Sequence, residues 1–378
     1  MNRRVLLSNS QLAFPDLAVQ GFRRFRDLKI SELGRVTLIT GKNNTGKSSI
    51  LEALRIGARK AEPAAVFDIL GTRAGYRRGS KEDAHSLDFD GDFLFSDLFH
   101  GFPTLDDEFG PIVIKTSNPK DPMELSMHVE WMAFTEDSQS TMEFVDRNRV
   151  VREEIPGGPV LVARTKTDKF VVRLGNLHSF RNHMPRPDSN RMTCKFVKAN
   201  GASESLGRMW DRAVLRDEEE EVVRALRVIE PNIAAVRMLG GDDRYRPAKT
   251  PYIRVEGLSR YVSILSSGDG LNRMFTLILA LLDARGGLLL IDEFENGLHY
   301  TVQREAWRII FQLAECHNIQ IVATTHSWDA VAAFQAAAAE TPEVGVLLRL
   351  TRKGSDVIPT VFTEEDLQVI TKRRIEVR

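Results

Sequence analysis

Residues 41–48 have the types and spacing that bind phosphate groups. They read Gly-Lys-Asn-Asn-Thr-Gly-Lys-Ser, which fits the pattern G-x-x-x-x-G-K-[ST]. The two glycines permit backbone geometries that turn successive N–H groups toward phosphate oxygens, and a helix beginning here would add its positive end. We expect Lys47 to reach the β- and γ-phosphates and the Ser48 hydroxyl to ligate Mg²⁺. Considered alone, the segment also fits a glycine-rich turn between a strand and a helix.

Two carboxylates follow an apolar strand late in the chain. Leu288–Ile291 is wholly apolar, and Asp292 and Glu293 come directly after it. Because α/β sheets bind ligands at the carboxyl ends of their strands, both side chains are expected at a site. Asp292 is predicted to hold Mg²⁺ with Ser48, and Glu293 to orient or deprotonate an attacking water. An apolar strand ending in Asp-Glu is often only structural, and the phosphate loop upstream favours the functional interpretation.

A histidine and a serine-glycine loop complete the candidate chemistry. His326, in Thr-Thr-His-Ser, follows the next apolar strand, so it is expected beside Glu293 and Lys47, where an imidazole can hydrogen-bond a γ-phosphate. A structural histidine is the alternative. Ser267 and Gly268 precede a predicted helix whose N-terminus would attract an anion. Ser-Gly-Asp-Gly is also ordinary turn chemistry.

The first half of the chain must place the phosphate loop. A β-rich apolar run enters the loop, and apolar residues on one helical stripe follow it from residue 48 to 59. Residues 60–105 are expected to be irregular. Short apolar segments separated by turn residues then predict an antiparallel meander. These segments lie at 112–114, 125–131, 141–145, 160–163 and 170–172.

The second half is predicted to contain the parallel part of the fold. Residues 178–198 are polar and proline-containing and are interpreted as a loop or linker, and residues 206–239 as mainly helical. After residue 268, strands alternate with helices of 10–15 residues, which indicates a parallel sheet with crossover helices. The predicted helices are 271–284, 303–316 and 328–338, and the predicted strands are 288–291, 321–323 and 344–350.

Composition excludes several classes of protein. The 378 residues carry 52 Lys+Arg and 52 Asp+Glu, so no global charge favours nucleic acid, although a local basic patch is compatible with the balance. Cys194 and Cys316 are too few for a disulfide framework and lack metal-ligand spacing. No apolar run approaches the roughly 20 residues that cross a bilayer, and the first residues are too weakly apolar for a signal peptide. We therefore expect a cytoplasmic protein with no membrane partner.

The motifs, in this order along the chain, resemble an ABC-type ATPase head. The likeness is closer to the SMC-like and OLD-like AAA family ATPases of bacteria, over about residues 15–60 and 205–378. Further segments share it: Gly-Phe-Arg-Arg-Phe at 21–25, Leu-Glu-Ala-Leu at 51–54, Gly-Asp-Gly-Leu-Asn-Arg at 268–273, Glu-Asn-Gly-Leu-His at 295–299 and Ser-Trp-Asp-Ala at 327–330.

The resemblance implies a fold class and a division of the chain. The fold class is α/β, a P-loop NTPase of ABC-ATPase-head type with two lobes, in which a mixed sheet with a parallel core is joined by an antiparallel β subdomain. Residues 1–175 would form lobe I with the phosphate loop and the antiparallel segment. Residues 176–265 would form a linker and helical subdomain, and residues 266–378 the remainder of the ATPase core.

The resemblance also implies a composite site in which ATP is sandwiched between two protomers. Glu293 would be the catalytic glutamate and His326 the switch histidine, with Lys47 also acting on the phosphates. Ser267 and Gly268 would belong to the signature loop, Ser-Ser-Gly-Asp-Gly at residues 266–270, which would close on the γ-phosphate of the opposite subunit. Mg²⁺ would be held by Ser48 and Asp292. The residues implied to bind the nucleotide are Gly41, Asn43, Asn44, Thr45, Gly46, Lys47, Ser48, Ser49, Ser267 and Gly268.

The chain departs from the family pattern in four respects. Asp269 stands where the signature usually has glycine, and no glutamine occurs between Gln20 and Gln139, so His100 is the candidate to replace the glutamine that contacts Mg²⁺. Residues 60–265 contain no long coiled coil, which argues against a long-armed DNA-tethering ATPase. No TOPRIM-like nuclease domain follows, so we expect any nuclease activity to come from another polypeptide.

Two functions remain in view. The first is an ATPase that dimerises on ATP and controls a separately encoded effector, a nuclease or toxin, in a bacterial anti-phage defence system. The alternative is a DNA-repair or chromosome-associated SMC-like ATPase that clamps DNA. A basic patch near residues 73–81 would serve the alternative, although acidic neighbours favour a solvated loop. Its cations are Arg73, Arg77, Arg78 and Lys81.

Overall fold

The structure is a computed structural model that describes residues 12–73, 96–103, 107–134, 142–147, 157–173, 192–202, 204–240, 249–340, 345–362 and 366. Its strands, in chain order, are β1 (Leu17–Phe22), β2 (Phe25–Ile30), β3 (Val36–Gly41), β4 (Ile112–Thr116), β5 (Met123–Phe134), β6 (Met142–Val145), β7 (Gly157–Arg164), β8 (Lys169–Arg173), β9 (Cys194–Lys198), β10 (Gly201–Ala202), β11 (Ile233–Leu239), β12 (Thr250–Val255), β13 (Val262–Ser263), β14 (Leu288–Ile291), β15 (Gln320–Thr324), β16 (Gly345–Lys353) and β17 (Asp356–Phe362). Its α-helices are α1 (Lys47–Ala58), α2 (Pro63–Arg73), α3 (Leu206–Val214), α4 (Glu219–Leu226), α5 (Asp269–Asp283), α6 (Tyr300–Cys316) and α7 (Trp328–Ala338).

A seven-stranded core sheet organises the candidate site. Its order is β10-β9-β14-β15-β3-β16-β17, in which the pairings from β9 to β16 are parallel and the edge strands β10 and β17 are antiparallel. Along β14, Leu289 and Ile291 enter one hydrophobic cluster, whereas Leu288 and Leu290 enter the other. Because both faces of the sheet are covered, its central strands β3, β14 and β15 are buried along their whole length.

The helices and the second sheet cover the two faces of the core sheet. On one face, α1 packs between the core sheet and the antiparallel sheet β2-β1-β4-β5-β7-β8, to which β6 adds beside β5. On the other face lie α5, α6 and α7, where Trp307 stacks on Phe294 with ring centroids 3.9 Å apart. The predicted antiparallel meander and the predicted parallel strands are both confirmed.

Three expectations about secondary structure are wrong. Helix α2 lies within residues 60–105, because Pro63 at its first position suits a helix start and alanines follow. Strand β9 lies within the expected loop 178–198, and its pairing with β14 adds it to the core sheet. Strand β11 lies within the expected helical region 206–239, because its pairing with β12 overrides local propensity.

The structure bears on the cysteines and on membrane-spanning helices, but it does not test the expected basic patch or the domain boundaries. Cys194 and Cys316 are both free thiols. Among the residues described, no helix has the length and apolar content to cross a bilayer. Arg77, Arg78 and Lys81 of the expected basic patch lie outside the described residues, and only the backbone of Arg73 is described. The predicted domain boundaries at 175 and 265 stay predictions.

We expect Gln320→Leu to destabilise the fold. The buried Gln320 amide accepts from the Phe14 N–H (2.9 Å) and donates to the carbonyls of Phe14 (2.7 Å) and Gly34 (3.2 Å), which ties the segment before β1 to β15. Each buried polar group left without a partner costs about 1–3 kcal/mol. The free energy of unfolding in urea should therefore fall by at least about 2 kcal/mol. The matched control, Gln20→Leu at an exposed position, should change it by no more than about 0.5 kcal/mol, and equal effects would contradict the assignment.

Candidate active site

The phosphate loop joins the central strand β3 to α1, and its two glycines are required by sterics. Gly41 has φ 149°, and a Cβ there would lie 2.6 Å from the Leu350 carbonyl oxygen of the neighbouring strand β16. Gly46 has φ 95°, and a Cβ there would lie 2.7 Å from Cζ of Phe25. Positive φ and close approach both exclude a side chain, so the backbone of the loop can pass close to its neighbours.

Within the loop, the side chains of the motif hold the backbone in a turn. The Thr45 hydroxyl donates to the Lys42 carbonyl (2.8 Å), and Lys47 Nζ donates to the carbonyls of Gly41 (2.7 Å) and Lys42 (3.2 Å). Asn43 and Asn44 are exposed, and Asn44 adopts φ 63°. These hydrogen bonds close the loop on itself. They also hold the Lys47 ammonium against the backbone that is predicted to bind phosphate.

Lys47 lies in a field of carboxylates. Burial lowers the pKa of Lys47 from its ordinary value of 10.5, and the negative charges of Glu295, Asp292 and Glu293 oppose that shift. A triphosphate placed on this lysine would add negative charge beside those carboxylates. A divalent cation would offset that repulsion.

The residues at the ends of β14 and β15 fit a magnesium ion. Ser48, in the first turn of α1, lies with its Oγ 3.1 Å from Asp292 Oδ1, and the Thr324 hydroxyl donates to the same carboxylate oxygen at 2.6 Å. A hydroxyl and a carboxylate are oxygen donors of the kind that Mg²⁺ takes together with waters and substrate phosphates. Ser49, the next residue, is buried in α1. The two predicted metal ligands are therefore brought together.

Glu293 is held in a backbone conformation that non-glycine residues seldom adopt. Its φ is 48°, which costs of order 1–3 kcal/mol. Its N–H donates to Thr324 Oγ1 (2.9 Å), and its carbonyl accepts from the guanidinium of Arg273 (2.8 Å). The side chain is 44% exposed, which leaves its carboxylate open to a water. The strained backbone aims the carboxylate out of the strand end while the backbone groups stay bonded.

Arg273 on α5 joins two strand ends beneath the site. The residue is 5% exposed, and its guanidinium donates to the carbonyls of Asp292 (2.9 Å) and Glu293 (2.8 Å). It also donates to the carbonyls of Lys198 (2.7 Å) and Ala199 (3.3 Å) at the end of β9. Burial lowers the pKa of Arg273 to about 10, against the raising effect of the nearby carboxylates. A buried cation bonded to four carbonyls fixes the helix relative to the Asp-Glu turn.

His326 is positioned by Glu295. One Glu295 oxygen accepts from the backbone N–H groups of His326 (2.9 Å) and Ser327 (3.1 Å) and lies 3.0 Å from His326 Nδ1. His326 Nδ1 is also 3.9 Å from a carboxylate oxygen of Glu293. An Nδ1–H donated to Glu295 leaves Nε2 for a ligand. The predicted neighbourhood of His326 and Glu293 is present.

The signature loop lies apart from these residues within the chain. Ser267 and Gly268 are exposed, and the Ser267 hydroxyl donates to the Ser263 carbonyl (3.2 Å). Gly268 caps α5 with φ 110°. No hydrogen bond or ion pair joins Ser267 or Gly268 to residues 41–48 in the described part of the chain. The predicted contact of this loop with nucleotide would therefore need a second protomer.

His100, the candidate to replace the missing glutamine, is engaged elsewhere. Its Nδ1 lies 3.0 Å from the Arg23 carbonyl, and the neighbouring Phe99 bridges to Phe22 of β1. Among the described residues no hydrogen bond links His100 to the phosphate loop or to Asp292. Its expected role stays a prediction.

Sequence reasoning missed three residues that shape the site. Thr324 bonds both carboxylate-bearing residues, Arg273 bonds their carbonyls, and Glu295 holds the histidine. Each residue belongs to one of the sequence motifs, but its hydrogen-bond partners lie in other motifs along the chain. Thr324 could have been identified from its position at the end of a strand that the sequence predicts to be buried, because a buried hydroxyl requires a hydrogen-bond partner.

Two family models match the chain. The model described as "AAA domain, putative AbiEii toxin, Type IV TA system" matches residues 88–333, and the model described as "AAA ATPase domain" matches residues 16–124. An "ATP/GTP phosphatase" of Helicobacter pylori is 21% identical over 347 residues, which is 82% of this chain and 84% of that protein. An uncharacterised protein of Methanocaldococcus jannaschii is 39% identical over 61 residues, 16% of this chain and 28% of that protein.

A solved structure shares the fold. An SMC head bound to the C-winged helix domain of ScpA is 13% identical and covers 94% of this chain and 99% of its own, with a TM-score of 0.52. At that identity the likeness shows the fold alone. It confirms the predicted fold class, a P-loop NTPase head with a parallel core and an antiparallel subdomain. The narrower OLD-like subgroup stays a prediction.

We expect Thr324→Val to weaken the site while preserving the fold. Valine keeps the volume but loses the hydroxyl that bonds Asp292 and the Glu293 N–H. Removing a group that orients a metal ligand costs about 10- to 100-fold in activity or metal affinity. Steady-state hydrolysis of ATP, titrated with Mg²⁺, should show that loss.

A matched control is available on β3. Thr37 is also fully buried, and its hydroxyl accepts from the Gly34 N–H at 3.0 Å, so Thr37→Val removes an equivalent buried hydroxyl elsewhere in the core sheet. Thr37→Val should retain activity wherever it remains folded. Full activity in Thr324→Val, or an equal loss in both variants, would contradict the assignment.

Proposed function

This chain belongs to the AAA-domain family whose model its residues 88–333 match, and on that premise we propose that it hydrolyses ATP and closes on it as a homodimer. Through that closure it controls a separately encoded effector. The observation that carries the proposal is the convergence of Ser48, Asp292, Thr324 and Glu293 at adjoining strand ends beside the phosphate loop. The printed name of the Helicobacter pylori relative, "ATP/GTP phosphatase", supports a nucleotide triphosphate as substrate.

The chain's own residues bind and orient the substrate. The backbone of residues 41–48 cradles the phosphates, and Lys47 turns from the Gly41 and Lys42 carbonyls to the β- and γ-phosphates. Ser48 and Asp292 would hold Mg²⁺, which when bound neutralises charge on the phosphate oxygens. Thr324 keeps the Asp292 carboxylate aimed at Ser48.

Hydrolysis then needs a base and a group that senses the γ-phosphate. Water attacks the γ-phosphorus, its proton passes to the Glu293 carboxylate, and the bond to the β–γ bridging oxygen breaks, giving ADP and inorganic phosphate. His326, fixed through Glu295, presents Nε2 to the γ-phosphate. Because the Glu293 carboxylate lies 3.9 Å from His326 Nδ1, a change of charge on either side chain alters the electrostatic environment of the other.

A second copy of the chain is proposed to complete the site. Leu265, directly before the exposed signature loop, is 60% exposed, and Tyr300 at the start of α6 is 61% exposed. A Cβ at Gly270 would lie 3.0 Å from the Gly297 carbonyl oxygen, so the start of α5 packs against the turn after Glu293. We propose that a partner protomer covers these residues and places its Ser267 on the γ-phosphate.

The effector is proposed to be a nuclease or toxin in bacterial anti-phage defence. Support comes from the family description, which names a toxin of a Type IV TA system, and from the proximity of Ser48 to Asp292 and of Glu293 to His326. The proposed setting is the cytoplasm. DNA clamping by the chain itself is the competing function and is one outcome of the test below.

We expect Glu293→Gln to abolish hydrolysis and to trap the ATP-bound dimer. Loss of a general base costs about 10²- to 10⁴-fold, while glutamine keeps the size of the side chain and the backbone hydrogen bonds of residue 293. Phosphate release should fall at least about 100-fold. Light scattering after size-exclusion chromatography should show a dimer with ATP and Mg²⁺ and a monomer without them.

Two control variants separate the parts of this prediction. Glu305→Gln, an exposed carboxylate on α6 that pairs with Arg308, should hydrolyse ATP as the native chain does. Ser267→Arg should bind ATP but neither dimerise nor hydrolyse it. Native hydrolysis by Glu293→Gln would overturn the catalytic assignment, and a persistent monomer with bound ATP would overturn the composite site.

The effector is tested by capture from the native host. Tagged Glu293→Gln protein, purified with and without ATP, should recover a stoichiometric second protein with nuclease or toxin chemistry. Recovery of DNA alone, with duplex binding only in the ATP state, would overturn the effector and establish the clamp.

A further inference from the structure

A groove of about 620 Å³ lies between strand β11 and the helices α3 and α4, outside the candidate active site. We call it the β11 groove. Its floor is formed by six consecutive residues, 234–239. Because successive side chains of a strand point to opposite faces, an unbroken run of lining residues means that the backbone edge of the strand faces the groove.

That backbone edge is open in the described part of the chain. The small sheet has the order β11-β12-β13, so β11 pairs with β12 on one side only. An edge strand offers a row of N–H and C=O groups to another extended chain. A peptide that adds as a strand satisfies those groups, which is a general mode of peptide recognition.

The opposite wall is apolar. Trp210 and Val214 lie one helical turn apart on α3, and Val223 faces the groove from α4. Val214 is 37% exposed, and Leu239, at the end of β11, is 48% exposed. Apolar side chains left exposed around an open strand edge favour a protein partner that covers them.

The charges of the groove restrict the partner further. Arg224 and Arg227 line it, and no carboxylate lies within ion-pair distance of either among the described residues. Arg227 Nε donates to the Ile233 carbonyl at 2.8 Å, which places Arg227 at the end where β11 begins. Glu219 and Glu220 line the groove from the first turn of α4. A carboxylate on the partner would complete the pair at the arginine end.

We propose that the β11 groove binds an extended segment of a partner protein, which adds as a strand to β11, packs apolar side chains against Trp210 and Val214, and pairs an acidic side chain with Arg224 and Arg227. Identifying that partner as the effector rests on the proposed function. Strand binding itself does not require ATP hydrolysis.

The position of the groove connects it to the ATPase. Strand β13 (Val262–Ser263) is at the far edge of the same sheet and leads directly into the helical turn Ile264–Ser266 and the signature loop. A strand added at β11 therefore extends the sheet whose opposite edge strand leads, through that turn, to Ser267. The proposed homodimer surface surrounds the signature loop, at the edge of the sheet away from the groove.

The test uses random twelve-residue peptides displayed on phage. They are selected on the full chain with excess Val214→Glu protein as competitor, and the enriched peptides are then synthesised. We expect alternating apolar residues with at least one acidic residue. Val214→Glu and Arg224→Glu should each raise the dissociation constant at least tenfold. Leu215→Glu, a neighbouring 84% exposed residue outside the groove, is the matched control and should change it less than twofold.

A backbone readout separates strand addition from other binding. The selected peptide should slow hydrogen exchange over residues 233–239. The same peptide with N-methyl groups on alternate backbone nitrogens should lose its affinity. All variants should retain native ATP hydrolysis, which reports a folded chain, and Arg224→Glu serves if Val214→Glu does not fold.

The other outcomes overturn either strand addition to β11 or the proposed effector function. Strand addition is excluded if the selection enriches only peptides that bind the Val214→Glu protein equally well. It is also excluded if the enriched peptides bind without slowing hydrogen exchange in β11. Nucleotide-free self-association that Val214→Glu dissolves would assign the groove to a second copy instead. If the peptides bind as expected but host capture yields only DNA, the groove assignment stands and the effector function fails.

Discussion

The parallel pairing of β14, β15 and β3 is the constraint on which the site depends. With β15 between the other two, Ile291 is level with Ala323 and Thr324 is level with Ile39. The residues after each strand therefore emerge at one edge of the sheet within hydrogen-bond reach of one another. Asp292, Thr324 and the phosphate loop meet there without a long side chain having to span a gap. A slip of one register position would turn the buried side chains to the wrong face, so the hydrophobic layers and the site are specified together.

Polar groups beneath that edge compensate for the strain above it. A non-glycine residue with positive φ persists only where its surroundings over-determine it, and Glu293 is bonded through both its N–H and its carbonyl. The cation that makes the second bond is itself buried, which is costly unless its donors are satisfied. Arg273 donates through its two terminal nitrogens to carbonyls at the ends of β9 and β14, in place of a carboxylate. Helix α5, which begins directly after Gly268, is thereby tied to the turn that carries Glu293.

The sequence predicts what is local and misses what is tertiary. The strands β3, β14 and β15 and the helices after them were foreseeable because apolar runs and helical stripes are contiguous in the chain. Strand β9 was not, because its five residues include two lysines and its apolar neighbours come from β14. Strand β11 was predicted to be helical because its pairing with β12 is a tertiary contact that overrides local propensity. Ser48 and Asp292, the predicted metal ligands, were identified from motifs, whereas Thr324, Arg273 and Glu295 act through partners that no spacing rule connects.

The position of β3 in the sheet has a consequence for biosynthesis. Val36 pairs with Ile321 on one side and with Gly345 on the other, so the strand that enters the phosphate loop waits for residues near the far end of the chain. At roughly 5–20 residues per second, a ribosome takes on the order of 15–60 seconds to make the intervening segment. Until then, the apolar β3 and α1 have only the antiparallel sheet to pack against. An ATP-competent site therefore cannot form on a truncated nascent chain, and a messenger cut short of β15 would yield an inactive protein with exposed apolar strands.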